Sequence, residues 1–399
     1  MEVRLTETLA GMKLSMKRRI CAVTGSRAEY GLLRNILKLI EFDPTMDLKL
    51  IVTGSHLKDK FGSTYKEILD DELSVDFEID ILSEVIDEQT TAIAMGKVQT
   101  EAAKILKEIK PDLLLVIGDR YEILSAVISA LLCKIPVAHI HGGEVTSGAF
   151  DDSIRHAITK MSHLHFVATN KSKKRIIQLG EDPKNIFNYG GLGVDAIQNI
   201  LFKSKEEIQK IIGKPFGEKN ILVAYHPETL SKKSAREQIN ILLSALEKKN
   251  EINFIFTGVN ADPGSDEISE EIKKFAESRS NAVYHLSLGQ KNYFSTLLHC
   301  DGIIGNSSSG ILEVPTFKKA TINIGNRQLG REMAESVINC KLESSSIVRS
   351  INKIYSKNFN QNLKKVSNPY GKGGASLKIF EKLKKIDLNN LVLKSFHDL

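Results

Sequence analysis

The sequence predicts an α/β protein made of two doubly wound halves that face each other across a cleft. Three observations predict it. Short apolar runs rich in Ile, Val and Leu recur through the 399 residues, each followed by an amphipathic stretch of helix length. The runs end in Gly, Ser, Thr, Asn or charged residues, as expected at the carboxyl ends of parallel strands, where open α/β sheets hold ligands. The alternation pauses once, at a charged stretch near 203–217, and then starts afresh.

Taken in order, the run 20–23 leads into Thr24-Gly25-Ser26-Arg27 and a helical pattern over 29–42. A second strand, 48–52, ends in Thr53-Gly54-Ser55 and His56, and a long helix over 90–109 is stopped by Pro111. The stretch 112–156 carries the most chemistry. Apolar runs 113–117 and 135–140 flank an amphipathic 121–133, a βαβ unit with parallel strands. Gly118-Asp119-Arg120 closes its first strand, His141-Gly142-Gly143-Glu144 its second, and Asp151-Asp152 follow. Asp119, Arg120, His141, Glu144, Asp151 and Asp152 are therefore expected in one crevice, where carboxylates beside histidines suit proton transfer. Segments 162–167, 171–179 and 186–188 complete a first half of six or seven strands.

The charged helix 203–212 and Gly213-Lys214-Pro215-Phe216-Gly217 mark the boundary. The expected organisation is an N-terminal extension over 1–17, a first domain over 18–202, a second over 203–373, and a helix within 374–399 packing back on the first. Strands follow at 221–224, 252–256, 282–286, 302–304 and 320–324. The first ends in Tyr225-His226-Pro227-Glu228. Gly305-Asn306-Ser307-Ser308-Ser309-Gly310 precedes a short helical segment, 311–313, that Pro315 should cut short. Free N–H groups and serine hydroxyls there suit phosphate oxygens, although Ser and Asn are also ordinary helix caps. Arg27, in the matching loop of the first half, suits bidentate phosphate binding. Neither loop reads GxGxxG or GxxxxGK[ST], so a nicotinamide or ATP site is not supported.

Composition narrows the classes. With 55 basic and 49 acidic residues the net charge is a mild +6, and the clusters 171–175 and 382–385 read as solvated helix faces. Trp is absent and no aromatics interleave with those clusters, so no nucleic-acid partner is expected. The four cysteines are far apart with no CxxC pair, which fits reduced, mostly buried thiols in a cytoplasmic protein. No apolar run reaches the roughly 18 residues of a membrane span. Residues 1–18 carry Glu2, Arg4, Glu7 and Lys13 without an apolar centre, so no signal peptide is expected; Met12 and Met16 just before the first strand suggest a dispensable extension or a misplaced start.

Seven segments together carry a resemblance: GSRAEYG (25–31), GDRYE (118–122), HIHGGE (139–144), DDSIRHAITKMSHLH (151–165), HPET (226–229), GNSSSG (305–310) and NIGNRQLGR (323–331). The chain resembles the hydrolysing UDP-N-acetylglucosamine 2-epimerases of the bacterial sialic-acid and legionaminic-acid pathways, from about 17 to 376. The resemblance implies a GT-B-like fold holding a UDP-sugar between two Rossmann-like domains. It implies elimination of UDP followed by hydration of a glycal, with no cofactor and no metal. It assigns acid/base roles to Asp119, Glu144 and Asp151, with Asp152 an alternative to Asp151 and His226 in the catalytic set. It also implies diphosphate contacts from Arg27, His226, Ser308, Ser309 and Arg327 and a ribose contact from Glu313. Arg120, His141, Asn306 and Gly310 join the substrate-binding set, and a homodimer or homotetramer is expected.

The non-hydrolysing relatives usually read HVEAG where this chain has HIHGGE, a departure that favours hydrolysis. A UDP-linked 2,4-diacetamido-trideoxyhexose is the alternative substrate, with the loops 57–64 and 145–150 expected to read C4 and C6. Three rival classes stay open at this point. His139-x-His141 with His156, His163, His165 and Asp119 could hold zinc or a metal pair. A GT-B glycosyltransferase would release UDP only with an acceptor. A non-catalytic UDP-sugar binder would tolerate Asp119→Asn.

Overall fold

The computed structural model describes residues 17–58, 64–84, 87–146, 150–198, 200–259 and 262–399. Seven strands form the first sheet: β1 (Arg18–Thr24), β2 (Met46–Thr53), β3 (Phe77–Ile79), β4 (Leu113–Ile117), β5 (Val137–Ile140), β6 (Leu164–Val167) and β7 (Ile186–Asn188). Six form the second: β8 (Asn220–Ala224), β9 (Asn253–Thr257), β10 (Ala282–His285), β11 (Gly302–Gly305), β12 (Ala320–Ile324) and β13 (Val337–Cys340). The orders are β3-β2-β1-β4-β5-β6-β7 and β10-β9-β8-β11-β12-β13, and the strand pairings are parallel. The protein is thus α/β with two doubly wound sheets.

Strand order reverses between β1 and β4 in the first sheet and between β8 and β11 in the second. Such switch points open a crevice at the strands' carboxyl ends, because the following helices leave to opposite faces. Arg27, Asp119 and Arg120 follow β1 and β4; His226 and Ser307–Ser309 follow β8 and β11. Fold topology alone therefore brings the chemistry-bearing residues to two facing crevices.

Both faces of the first sheet are covered. Along β1, Ile20 and Ala22 join the core under the helix Arg27–Glu41, while Cys21 and Val23 join that under Glu88–Ile109 and Tyr121–Leu132. This alternation is the period of two that a strand imposes.

Two crossings of the chain tie the lobes together. The helix Leu192–Gln198 puts Leu192 in the first lobe's core and Ile197 in the second's. The return crossing runs beside it: Gly191 N donates to Tyr370 O (2.8 Å), and Asp195 accepts from the N–H groups of Ala375 (3.0 Å) and Ser376 (2.5 Å). Asp195 thereby caps the helix Ala375–Lys385, whose Ile379, Phe380 and Leu383 return to the first lobe's core.

Some sequence expectations change. The short strands β3 and β13 carry too little apolar pattern to be read. Pro315 does not end the short helical segment: Ser309–Leu312 continues into a 3-10 turn, Val314–Phe317, with proline in its first turn where no N–H is needed. Of the loops expected to read C4 and C6, residues 59–63 and 147–149 lie outside the described residues, as do 1–16 of the N-terminal extension. No helix among the described residues is long and apolar enough to cross a membrane.

Candidate active site

The first-lobe wall includes glycines at which a side chain would force its neighbours to move. A Cβ at Gly25 would lie 2.3 Å from Glu122 Oε1, and one at Gly143 (φ 72°) would lie 2.5 Å from Ser172 O. His141 holds φ at 62°, an uncommon conformation for a non-glycine residue, in the turn after β5. That turn delivers Glu144, buried, to the crevice.

Asp119 ion-pairs with the guanidinium of Arg155, which is 2% exposed. Arg155 also donates from Nη1 to Thr146 Oγ1 (2.8 Å), and Thr146 N donates to Asp152 Oδ1 (2.5 Å). From the second lobe Arg331 Nη1 reaches to 3.2 Å from Glu144 Oε2, while Nη2 donates to Thr146 Oγ1 and Nε to Val145 O, both at 3.4 Å. Arg175 donates to Gly143 O (2.9 Å) and Gly330 O (3.3 Å), so it braces the same turn from both lobes. Carboxylates and arginines thus alternate around Thr146.

Asp151 opens the helix Asp151–Met161. Burial and the charge of Asp262 push its carboxyl up to about 6, against Arg327 and Arg120. Arg120 bonds Glu122 (2.9 Å) in its own lobe and Asp262 (2.6 Å) in the other. Behind them, burial and neighbouring Glu122 push Glu29 up to about 8, and Gly25 N donates to its Oε2 (2.8 Å).

The facing wall comes from the second lobe. At Gly305 (φ 143°) a Cβ would fall 1.9 Å from Ala224 O. Asn306 is wholly buried, accepting from His226 N (2.7 Å) and donating to His226 O (2.8 Å). It fixes the His226 backbone, and the ring lines the cleft. Burial, then Arg327, push His226 down to about 3, which leaves the imidazole neutral. Glu228 Oε1 accepts from Asn326 N (2.8 Å) and Arg327 N (3.2 Å), ordering the loop that presents Arg327. Arg27, His226, Ser307, Ser308, Ser309, Glu313 and Arg327 line one cleft together with Gln290, Tyr293 and Phe294. Gln290 Nε2 donates across it to Gly31 O (2.7 Å). Burial pushes Glu313 up to about 7.

The sequence-derived candidates therefore fall into three groups. Arg27, His226, Ser308, Ser309, Glu313 and Arg327 line the cleft, and Asp151, outside that lining, lies within the electrostatic reach of Arg327. Asp119, Glu144 and Asp152 gather around Arg155, Thr146 and Arg331. The side chains of Asn306, Arg120 and His141 engage the protein itself: His141 Nε2 accepts from Leu192 N (3.3 Å) and its Nδ1 lies 3.8 Å from Glu144. Gly310 is buried, with its Cα against Thr321. Asp119 takes Arg155, 36 positions along the chain, as its ion-pair partner. Arg155, Arg331, Asp262 and Glu29 were not singled out by the sequence, although Glu29, Arg155 and Arg331 stand inside three of the quoted segments. Three of the imidazoles grouped as possible metal ligands are separately engaged, His139 with Gly118 O (2.8 Å), His163 with Val137 N (3.1 Å) and His165 with Glu181 (3.1 Å).

A sequence profile described as UDP-N-acetylglucosamine 2-epimerase matches residues 38–384. A relative from Campylobacter jejuni, named GDP/UDP-N,N'-diacetylbacillosamine 2-epimerase (hydrolyzing), is 40% identical over 96% of this chain and 100% of its own length. The polysialic acid biosynthesis protein P7 of Escherichia coli is 39% identical over 96% of this chain and 98% of its own. A Legionella pneumophila UDP-N,N'-diacetylbacillosamine 2-epimerase (hydrolyzing) is 34% identical over 95% and 98%. In fold, the chain is similar to the Neisseria meningitidis UDP-GlcNAc 2-epimerase structure bound to UDP-GlcNAc, with a TM-score of 0.79 at 19% identity over 92% of this chain and 100% of that one. Sequence and fold agree: this chain belongs to the UDP-N-acetylglucosamine 2-epimerase family, among its hydrolysing enzymes.

Proposed function

We propose that the chain converts UDP-N-acetylglucosamine and water to N-acetylmannosamine and UDP. One observation supports this most: Asp151, a carboxyl group pushed up to about 6, lies within the electrostatic reach of Arg327 at a cleft that Arg27 lines from the same lobe and Arg327, neutral His226 and three serines line from the other. Arg27 and Arg327, with the His226 ring and the Ser308 and Ser309 hydroxyls, would hold the diphosphate, and Glu313 the ribose.

A C2 proton has no adjacent carbonyl to acidify it, so elimination is the accessible route. In this reading Asp151 takes the C2 proton, the C2–H electron pair becomes the C1=C2 bond, and the C1–O bond breaks with its electrons leaving on UDP. A second acidic group of the set then gives a proton to C2 on the opposite face, the C1=C2 pair forming the new C2–H bond, while water oxygen adds to C1 and its proton passes to a carboxylate. Asp119 and Glu144, ion-paired with Arg155 and Arg331, act as the fixed carboxylates of this set, with Asp152 beside them. A cytoplasmic homodimer or homotetramer belongs to the same reading.

A second substrate is favoured by the names of the 40% and 34% identical relatives: a UDP-linked 2,4-diacetamido-trideoxyhexose. Separate incubations with the two UDP-sugars, following UDP and free sugar by chromatography, decide between them. Equimolar UDP and N-acetylmannosamine, with the higher kcat/KM on UDP-N-acetylglucosamine, is the expected result. A higher kcat/KM on the diacetamido sugar selects the second substrate, and UDP-N-acetylmannosamine without free UDP overturns hydrolysis.

A further inference from the structure

Arg120 and Asp262 join the two lobes in an ion pair of 2.6 Å whose side chains are only 11% and 7% exposed. Arg120 stands next to Asp119 beyond the end of β4; Asp262 lies beyond β9, ahead of the helix Ser265–Glu277. Glu122 holds Arg120 Nε at 2.9 Å from its own lobe, so Nη1 is presented to Asp262 in one orientation. A pair this buried between lobes forms only when they come together, because each partner alone would keep its water.

We propose that Asp262 is a positioning residue delivered by the second lobe: by closing on Arg120 it fixes the end of β4 and sets a negative charge against Asp151. The proton-carrying carboxylate is then tuned only in the closed enzyme. The charges facing Asp151 are those of Asp262, Arg327, Arg120 and Glu122, and those facing Asp262 include Arg120, Arg327 and His226. Burial opposes ionisation of Asp262, but Arg120 and Arg327 outweigh it and hold the group low. Its full charge then joins burial in raising Asp151. An open enzyme would leave Asp151 a more ordinary acid, unmatched to its task.

The proposal rests on the reading of Asp151 as proton carrier, and two measurements separate it from that reading. The first is the pH profile of kcat for wild type, Asp262→Asn and Asp262→Glu. Asp262→Asn should lower kcat about tenfold and move the acid limb to lower pH, while Asp262→Glu restores both. The second is small-angle scattering with and without UDP, which needs no turnover. Wild type should be compact with UDP, and Asp262→Asn should remain expanded at the same occupancy. If Asp262→Asn does not fold, the pair Arg120→Leu with Asp262→Leu, which strands neither partner of the inter-lobe pair, should show the same loss of compaction and a smaller shift of the acid limb to lower pH, since Arg120 pulls Asp151 the other way. An unmoved acid limb together with normal UDP compaction overturns the proposal. A wild type that compacts with UDP yet turns over no UDP-sugar overturns the proposed function and leaves the lock standing.

Discussion

Arg331 Nη1 stands 3.2 Å from Glu144 Oε2, an ion pair in which a second-lobe side chain completes the turn after β5 in the first lobe. Both side chains are nearly buried, at 6% and 4% exposure. Replacing Arg331 by Met would leave a buried carboxylate without its cation, a loss of about 3–5 kcal/mol where nothing compensates. The expected outcome is a lower Tm and a large fall in kcat/KM. Arg331→Lys should recover only part, because the planar fork also serves Val145 O and Thr146 Oγ1. A Met variant with unchanged kcat/KM would contradict this.

Arg155 makes a corresponding demand on Asp119. A double-mutant cycle with Arg155→Leu and Asp119→Asn should show a coupling of about 1–3 kcal/mol in activation free energy. Additive effects would mean the two act independently.

Gly305 should tolerate no side chain. With φ at 143° and Ala224 O only 1.9 Å from a Cβ, Gly305→Ala must shift the β8–β11 junction. A loss of about 2–4 kcal/mol and weakened UDP binding are expected, measured by denaturation and calorimetry. Gly96, mid-helix with nothing within 4 Å of its Cβ position, is the control: Gly96→Ala should be stabilising by about 0.5–1 kcal/mol.

Acid should also act on a network remote from the cleft. Burial would push Glu181 up, but hydrogen bonds from His165, Lys394 and Lys160 hold it down to about 2 from its usual 4.5. Its stabilising contribution is therefore complete above pH 4.5 and is lost as pH falls toward 2. Glu181→Gln should cost about 1–3 kcal/mol at neutral pH and flatten the Tm profile across that window. A Gln variant with the wild-type profile would show that the network contributes nothing.

What the sequence revealed and what it hid follow from range. Asp119 and Glu144 stood out because they lie two and four positions past the apolar runs that became β4 and β5, and strand ends in parallel sheets face the crevice. The cradle residues at Gly305–Ser309 were legible for the same reason. Arg155, Arg331 and Asp262 were not, because their roles lie in partners 36, 186 and 142 positions away, a separation that no local pattern encodes. For His141 and Asn306 the same position at a strand end could not show that backbone N–H and C=O groups of the fold engage their side chains. The strands β3 and β13, three and four residues long, were too short for periodicity to register.

The most direct test of the central claim is to incubate the protein with UDP-N-acetylglucosamine in deuterated water and follow products by NMR. Proton removal at C2 followed by hydration predicts free N-acetylmannosamine carrying deuterium at C2, with one UDP per sugar. Free sugar that retains its C2 hydrogen, whatever its configuration, would contradict it.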